Sequence, residues 1–194
     1  MDYLLKNTDL RPINKTLESL FSYINYYKPL NKMKVLEIGI GNGNASIPMS
    51  TKFKSYYGIE PLKDIYDIFI EMCKKHKCII KSYNMNLEDF TNNTKIKFDM
   101  IILRNVIHFI GYDELIKQSK KILLTNGFII IQNAQAKPIG WGNKQFVEES
   151  NEFNQEKWCK FKNQLDICYN TILHSKYLIK FDKDNKYNFF ILRL

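Results

Sequence analysis

The segment from Val35 to Asn44 limits what this chain can fold into more than any other. Lys34-Val35-Leu36-Glu37-Ile38 is a short apolar run, and Gly39-Ile40-Gly41-Asn42-Gly43 follows it directly. The run predicts a strand and the glycines a tight turn. A helix start is expected between Asn44 and Ser46, where Pro48 suits the first helical turn. In an open parallel sheet, ligands bind beyond the carboxyl ends of the strands. Glycine there lets the backbone turn sharply and approach a ligand with no Cβ in the way.

The rest of the chain repeats the alternation. Leu17, Leu20, Phe21, Ile24 and Tyr27 fall at helical spacing within residues 1–30, and Pro29 closes that segment. Ser55 to Ile59 reads as a second strand, 63–76 as a helix and Cys78 to Tyr83 as a third strand. Phe98 to Leu103 is a near-continuous apolar run, as expected for a strand buried on both faces. Asp113 to Leu124 reads as a helix stopped by Asn126-Gly127, and Phe128 to Ile131 as a fifth strand. A loop with Pro138, Gly140, Trp141 and Gly142 follows, then a long amphipathic helix over Phe153 to Leu173. The end, Tyr177–Phe181 and Tyr187–Leu194 around a polar turn, reads as a β-hairpin. Strands alternating with helices imply a mostly parallel α/β sheet, here with an antiparallel C-terminal hairpin. One domain of 194 residues is expected: a helical cap over 1–30, a core over 31–133, a loop over 134–152, then helix and hairpin over 153–194.

Composition narrows the class. No apolar run reaches the ~18–20 residues of a membrane-spanning helix. Met1-Asp2-Tyr3-Leu4-Leu5-Lys6 has no basic stretch leading into an apolar one, so no secretion signal is expected and the cytoplasm is the expected compartment. Cys73, Cys78, Cys159 and Cys168 form no C-x-x-C pair, which fits reduced thiols; with His76, His108 and His174 scattered, no metal site is expected. The net charge of +9 invites a nucleic-acid reading, but only Arg11, Arg104 and Arg193 among 29 basic residues are arginine. Arginine is the preferred fork for phosphate and base recognition. Lysine, asparagine and isoleucine are enriched together, a bias that adds charge without selecting a partner.

The glycine spacing is G-x-G-x-G, and Asn44 takes the place of the last glycine of the dinucleotide fingerprint G-x-G-x-x-G. Glu37 would repel a pyrophosphate and attract an ammonium group. Glu60 ends the second strand, roughly 20 residues past the first glycine, where a carboxylate can accept hydrogen bonds from ribose hydroxyls. A ligand with an amino-acid head and a nucleoside tail fits both acids; a solvated loop acid is the competing reading for Glu60.

These residues resemble the class I S-adenosylmethionine-dependent methyltransferases. Glu37 to Gly43 resembles the first motif of that family and Tyr57-Gly58-Ile59-Glu60-Pro61 its acidic second motif. Asn86-Leu87-Glu88-Asp89-Phe90 resembles the adenine loop, with Asn86 where aspartate is common. Phe98 to His108 resembles the fourth motif, and Leu123 to Phe128 the turn before the fifth strand, with Asn126-Gly127 in place of Pro-Gly. The resemblance covers 33–133. It implies a Rossmann-like, doubly wound sheet with helices on both faces. It also implies S-adenosyl-L-methionine as cofactor and S-adenosyl-L-homocysteine as product. Glu37, Gly39, Gly41, Gly43, Glu60, Asn86 (or Asn84), Leu87 and Arg104 are the implied cofactor contacts.

Methyl transfer from a sulfonium is a direct in-line displacement, so orientation is the main task and a base is needed only for a protonated nucleophile. His108 is the candidate base, against a packed helix residue as the competing reading. Asn105 and Trp141 are substrate candidates; Tyr23 and Tyr27 read as packing residues. The expected activity is O- or N-methylation of a small molecule. An RNA- or protein-directed enzyme, or a cofactor-binding subunit without its own activity, are the alternatives. A nicotinamide oxidoreductase is disfavoured by Asn44.

Overall fold

The computed structural model describes residues 9–134, 170–173 and 187–193. Helix α1 (Lys15–Tyr27) comes first, followed by a short 3₁₀ turn (Leu30–Lys32). Strand β1 (Lys34–Ile38) leads through the glycine loop to helix α2 (Ser46–Ser50). Strand β2 (Ser55–Ile59), helix α3 (Lys63–Lys75), strand β3 (Lys81–Tyr83) and helix α4 (Leu87–Asn93) follow. Strand β4 (Phe98–Arg104), helices α5 (Ile107–Ile110) and α6 (Tyr112–Ile122) and strand β5 (Leu123–Ala134) complete the core. Strands β6 (Asn170–Leu173) and β7 (Tyr187–Arg193) lie at one edge.

The seven strands among the described residues form one sheet in the order β3-β2-β1-β4-β5-β7-β6. The first five are parallel, while β7 runs antiparallel to both β5 and β6. The chain order reverses between β1 and β4, which creates the switch point at their carboxyl ends.

Side chains alternate across a strand, so each buried strand feeds two layers. Leu36, Ile38, Ile101, Leu103, Ile129 and Ile131 join Leu87, Phe90 and Leu115 of α4 and α6 on one face. Val35, Met100, Ile102, Phe128 and Ile130 join Leu17, Leu20, Phe21 and Ile24 of α1 on the other. Helix α1 is therefore one of the layers that closes the sheet. Its stripe ends at Ile24: Tyr27, expected to pack, is half exposed and instead stacks edge-on with Tyr23 and Tyr26.

Three boundaries differ from the sequence expectation. β3 begins at Lys81 rather than Cys78. The Cys78 N–H is turned back onto the Cys73 carbonyl, which takes it out of the sheet ladder, and Ile79 is exposed. Helix α6 ends at Ile122, so Asn126-Gly127 is not its cap. Leu123 already pairs with Phe98, and the next pair is Phe128 with Met100. Residues 124–127 bulge out between those pairs, with Asn126 at φ +63°. Finally, 170–173 is strand rather than the end of a helix, while 153–169 and 177–181 lie outside the described residues.

Candidate functional site

The carboxyl ends of β1, β2 and β4 meet at the switch point, and the glycine loop starts there. The Gly39 and Ile40 N–H groups both donate to the Ile59 carbonyl (2.9 and 3.2 Å), which pins the loop to the end of β2. Gly39, Gly41 and Gly43 have φ of +72°, +56° and +82°, a region that favours glycine. The three differ in surroundings. A Cβ on Gly39 would lie 2.4 Å from Val106 Cγ1, and one on Gly43 would lie 2.5 Å from Phe69 Cδ2. A Cβ on Gly41 would meet nothing within 4 Å. Gly39 and Gly43 are thus required by packing against protein, and Gly41 is the position open to a ligand. Gly58 has a related role: its missing side chain leaves space for Ile40, whose Cγ2 would lie 2.4 Å from a Cβ there.

Glu60 sits against this loop. Its Oε2 accepts from the Gly41 N–H and its Oε1 from the Leu62 N–H, each at 3.1 Å. The residue is 7% exposed. Burial pushes its carboxyl above the ordinary glutamate range, the two amides pull it back, and the charge of Glu37 adds a smaller upward push. Asn84 Nδ2 donates to the Glu60 carbonyl at 2.8 Å, tying the end of β3 to the end of β2.

Glu37 has a different environment from the one expected. Its Oε2 accepts from the Tyr56 hydroxyl at 2.8 Å and its Oε1 from Arg104 Nε at 2.7 Å, with Arg104 Nη2 at 2.5 Å. The residue is fully buried. The cation that balances it is the protein's own, so Glu37 does not offer a free carboxylate to an ammonium group. Burial first, then the Glu37 charge, hold the Tyr56 phenol well above the ordinary tyrosine range. Arg104 Nη2 reaches on to Ser46 Oγ (3.2 Å), which donates to the Ile40 carbonyl (3.3 Å). One chain of contacts therefore runs from β2 through β1 and β4 into the glycine loop.

The remaining candidates divide. Asn105 stands at φ +56° and its N–H donates to the Gln132 carbonyl (2.8 Å), which turns the chain off β4 and lays Val106 against Gly39. His108 follows in α5. Asn86 caps α4: its Oδ1 accepts from the Asp89 N–H and its Nδ2 donates to Asp89 Oδ2, both at 2.8 Å. The Leu87 side chain is buried in the core rather than facing a ligand. Trp141 lies outside the described residues.

Tyr56, Ser46, Val106 and Phe69 support the site and were not singled out from sequence. A signal exists for Tyr56. The register pairs Val35 with Tyr56, Glu37 with Gly58 and Glu37 with Ile102. Residues two apart share a face, so Tyr56 and Arg104 flank Glu37 diagonally.

The 3-2-1-4-5-7-6 sheet and the glycine loop at its switch point are those of the class I S-adenosylmethionine-dependent methyltransferase fold. Residues 11–169 match a family model described as a methyltransferase domain, and the chain belongs to that family. It is 32% identical over 123 residues to a ubiquinone biosynthesis O-methyltransferase from Pelagibacter ubique, a match covering 63% of this chain and 50% of that protein. The mitochondrial ubiquinone biosynthesis O-methyltransferase of Bos taurus is 28% identical over 112 residues, covering 54% of this chain and 29% of that protein. The chain thus spans half or less of the length of these curated relatives. A solved S-adenosylmethionine-dependent methyltransferase from Clostridium acetobutylicum shares the fold with TM-score 0.52 at 17% identity, covering 63% of this chain and 51% of that one.

Proposed function

We propose that this chain transfers the methyl group of S-adenosyl-L-methionine to an oxygen or nitrogen of a small molecule, in the cytoplasm. The observation that carries the cofactor reading is the pairing of Gly41, open on its Cβ side, with a buried Glu60 carboxylate held against it. A cradle that a side chain would fill, beside an acid suited to ribose hydroxyls, fits that cofactor. When bound, the cofactor supplies a methyl already activated on a sulfonium. Glu60 accepts hydrogen bonds from the ribose, and Gly41 admits the backbone to close approach. Arg104, neutralised by Glu37, braces the loop; Asn84, Asn86 and the backbone at Leu87 border the base. Asn105, just past β4, is proposed to meet the acceptor, and Trp141 is the second acceptor candidate by residue type. When the acceptor is a hydroxyl, His108, just past the end of β4, takes its proton. The names of the two ubiquinone-biosynthesis relatives favour oxygen and a small acceptor.

Calorimetry on the full chain tests the cofactor step. Micromolar uptake of S-adenosyl-L-methionine and S-adenosyl-L-homocysteine is expected. Glu60→Gln should weaken it about 10- to 100-fold, the value of a hydrogen bond to a charged group. A folded protein that takes up neither compound would overturn the assignment. Labelled-methyl transfer to small hydroxylated acceptors, compared with RNA across a salt series, then separates the substrate classes, since a basic groove for RNA would show a steep salt dependence. Cofactor binding with no transfer to any acceptor would support a non-catalytic subunit instead.

A further inference from the structure

The C-terminal end of α3 carries a pair of thiols that the proposed reaction does not use. The Lys77 N–H donates to the Lys74 carbonyl (3.2 Å) and the Cys78 N–H to the Cys73 carbonyl (3.0 Å), with Lys77 at φ +49°. These are the 5→2 and 6→1 bonds of a Schellman motif around a left-handed residue. That motif brings the side chains of its first and sixth residues together, usually as an apolar contact. Here both positions are cysteine. The two thiols interact with each other, and both residues are partly exposed.

From this juxtaposition we propose that Cys73 and Cys78 are a redox modification site: they close reversibly into a disulfide by exchange with a small-molecule disulfide such as oxidised glutathione. The backbone already holds the turn that the bond requires, so closure does not have to bring distant segments together. Cys78 attacks first, because burial and then the contact with Cys78 push the Cys73 thiol far above its ordinary range. The Cys78 thiolate, its proton given to solvent, bonds to one sulfur of the small disulfide. The other sulfur leaves as a thiolate and takes up a proton. Cys73 then loses its proton and attacks Cys78 Sγ, which releases the second small thiol. Two protein thiols are oxidised and one disulfide is reduced to two thiols. The bond would lock the turn between α3 and β3. The other end of α3 follows Glu60, and Phe69 in its middle packs against Gly43.

The test is direct, because Lys74, Lys75 and Lys77 lie between the two cysteines. Trypsin separates them unless they are bonded. The native full chain is incubated with oxidised glutathione, alkylated, digested without reduction and mapped by mass spectrometry. A Cys73–Cys78 linked peptide pair, lighter by two hydrogens and abolished by a dithiol reductant, is expected. Cys73→Ser should leave glutathione on Cys78, and Cys78→Ser should slow modification of Cys73 at least tenfold. Recovery of both cysteines alkylated, each carrying its own glutathione, or bonded instead to Cys159 or Cys168, overturns the proposal.

Discussion

Glu37, near the carboxyl end of β1, and Glu60, just past the end of neighbouring β2, are both buried, yet their surroundings oppose one another. Glu37 is enclosed by a guanidinium and a phenol from the strands on either side. Glu60 is held by two backbone amides, and among the described residues no lysine or arginine forms an ion pair with it. A buried charge paired by a cation is electrostatically finished and acts as scaffold. One held only by neutral donors keeps lone pairs for further hydrogen bonds, at the cost of a raised pKa. Two acids that look alike in sequence thus divide into a brace and, under the proposed function, a ligand contact.

The largest test of this contrast is Glu37→Gln. The Arg104 side chain is 17% exposed and would lose the Glu37 carboxylate that faces it. Removing one partner of a buried pair costs about 3–5 kcal/mol, and partial access to water should bring this case to about 3 kcal/mol. Urea unfolding of the variant and the parent measures it. Cofactor affinity per folded molecule should change far less than in Glu60→Gln. A variant that keeps its stability and loses cofactor binding would make Glu37 the ligand contact after all.

The glycine loop sharpens the same distinction at smaller magnitude. Gly39→Ala must take φ +72° and push a stiff valine whose Cγ1 would sit 2.4 Å away, so a loss of about 2–4 kcal/mol is expected. Gly41→Ala has φ +56° and open space, leaving only the strain of the left-handed conformation, about 1 kcal/mol. Its effect should appear instead as weakened cofactor uptake, because the methyl enters the space reserved for the ligand. Thermal melts and calorimetry on the two variants distinguish these outcomes. Equal destabilisation, with equal loss of binding, would remove the assignment of Gly41 as the open position.

Much of this architecture is legible before any coordinates are known, and the exceptions share a cause. β1 and β2 match their expected bounds because each is an apolar run ended by a glycine loop or by an acid and a proline. The position of Glu60 beside the glycine loop is legible because the fold rule places the end of the second strand next to the switch point. β3 is misjudged because Cys78, Ile79 and Ile80 look like strand residues, yet a hydrogen bond closing the preceding helix claims the Cys78 N–H. Asn126-Gly127 has the composition of a helix stop but forms a bulge, since only the pairing of Leu123 with Phe98 shows that the strand has already begun. The partners of Glu37 come from neighbouring strands, so they depend on register. Asn86 has the same property on a smaller scale: residue type suits it to adenine, but its side chain is already committed to capping α4.

The finest test uses pH. Because the Glu60 carboxyl is raised in the folded chain, the native state holds more protons than the unfolded one between the ordinary glutamate pKa and the raised value. The stability this contributes is fully present below that window and is lost as pH rises through it. Glu60→Gln has no such titration. Whatever the amide costs by facing the Gly41 or Leu62 N–H, that cost is constant with pH, so the variant should gain on the parent as pH rises. Urea midpoints for both proteins at steps between about pH 4 and pH 8 read the difference. This is the smallest expected effect, because one partly screened carboxyl supplies it, but its sign is decisive. If the variant instead falls behind the parent as pH rises, the folded chain favours the charged form of Glu60. That acid would then have its partners within the protein, as Glu37 has in Arg104 and Tyr56, and the contrast between the two strand ends would fail.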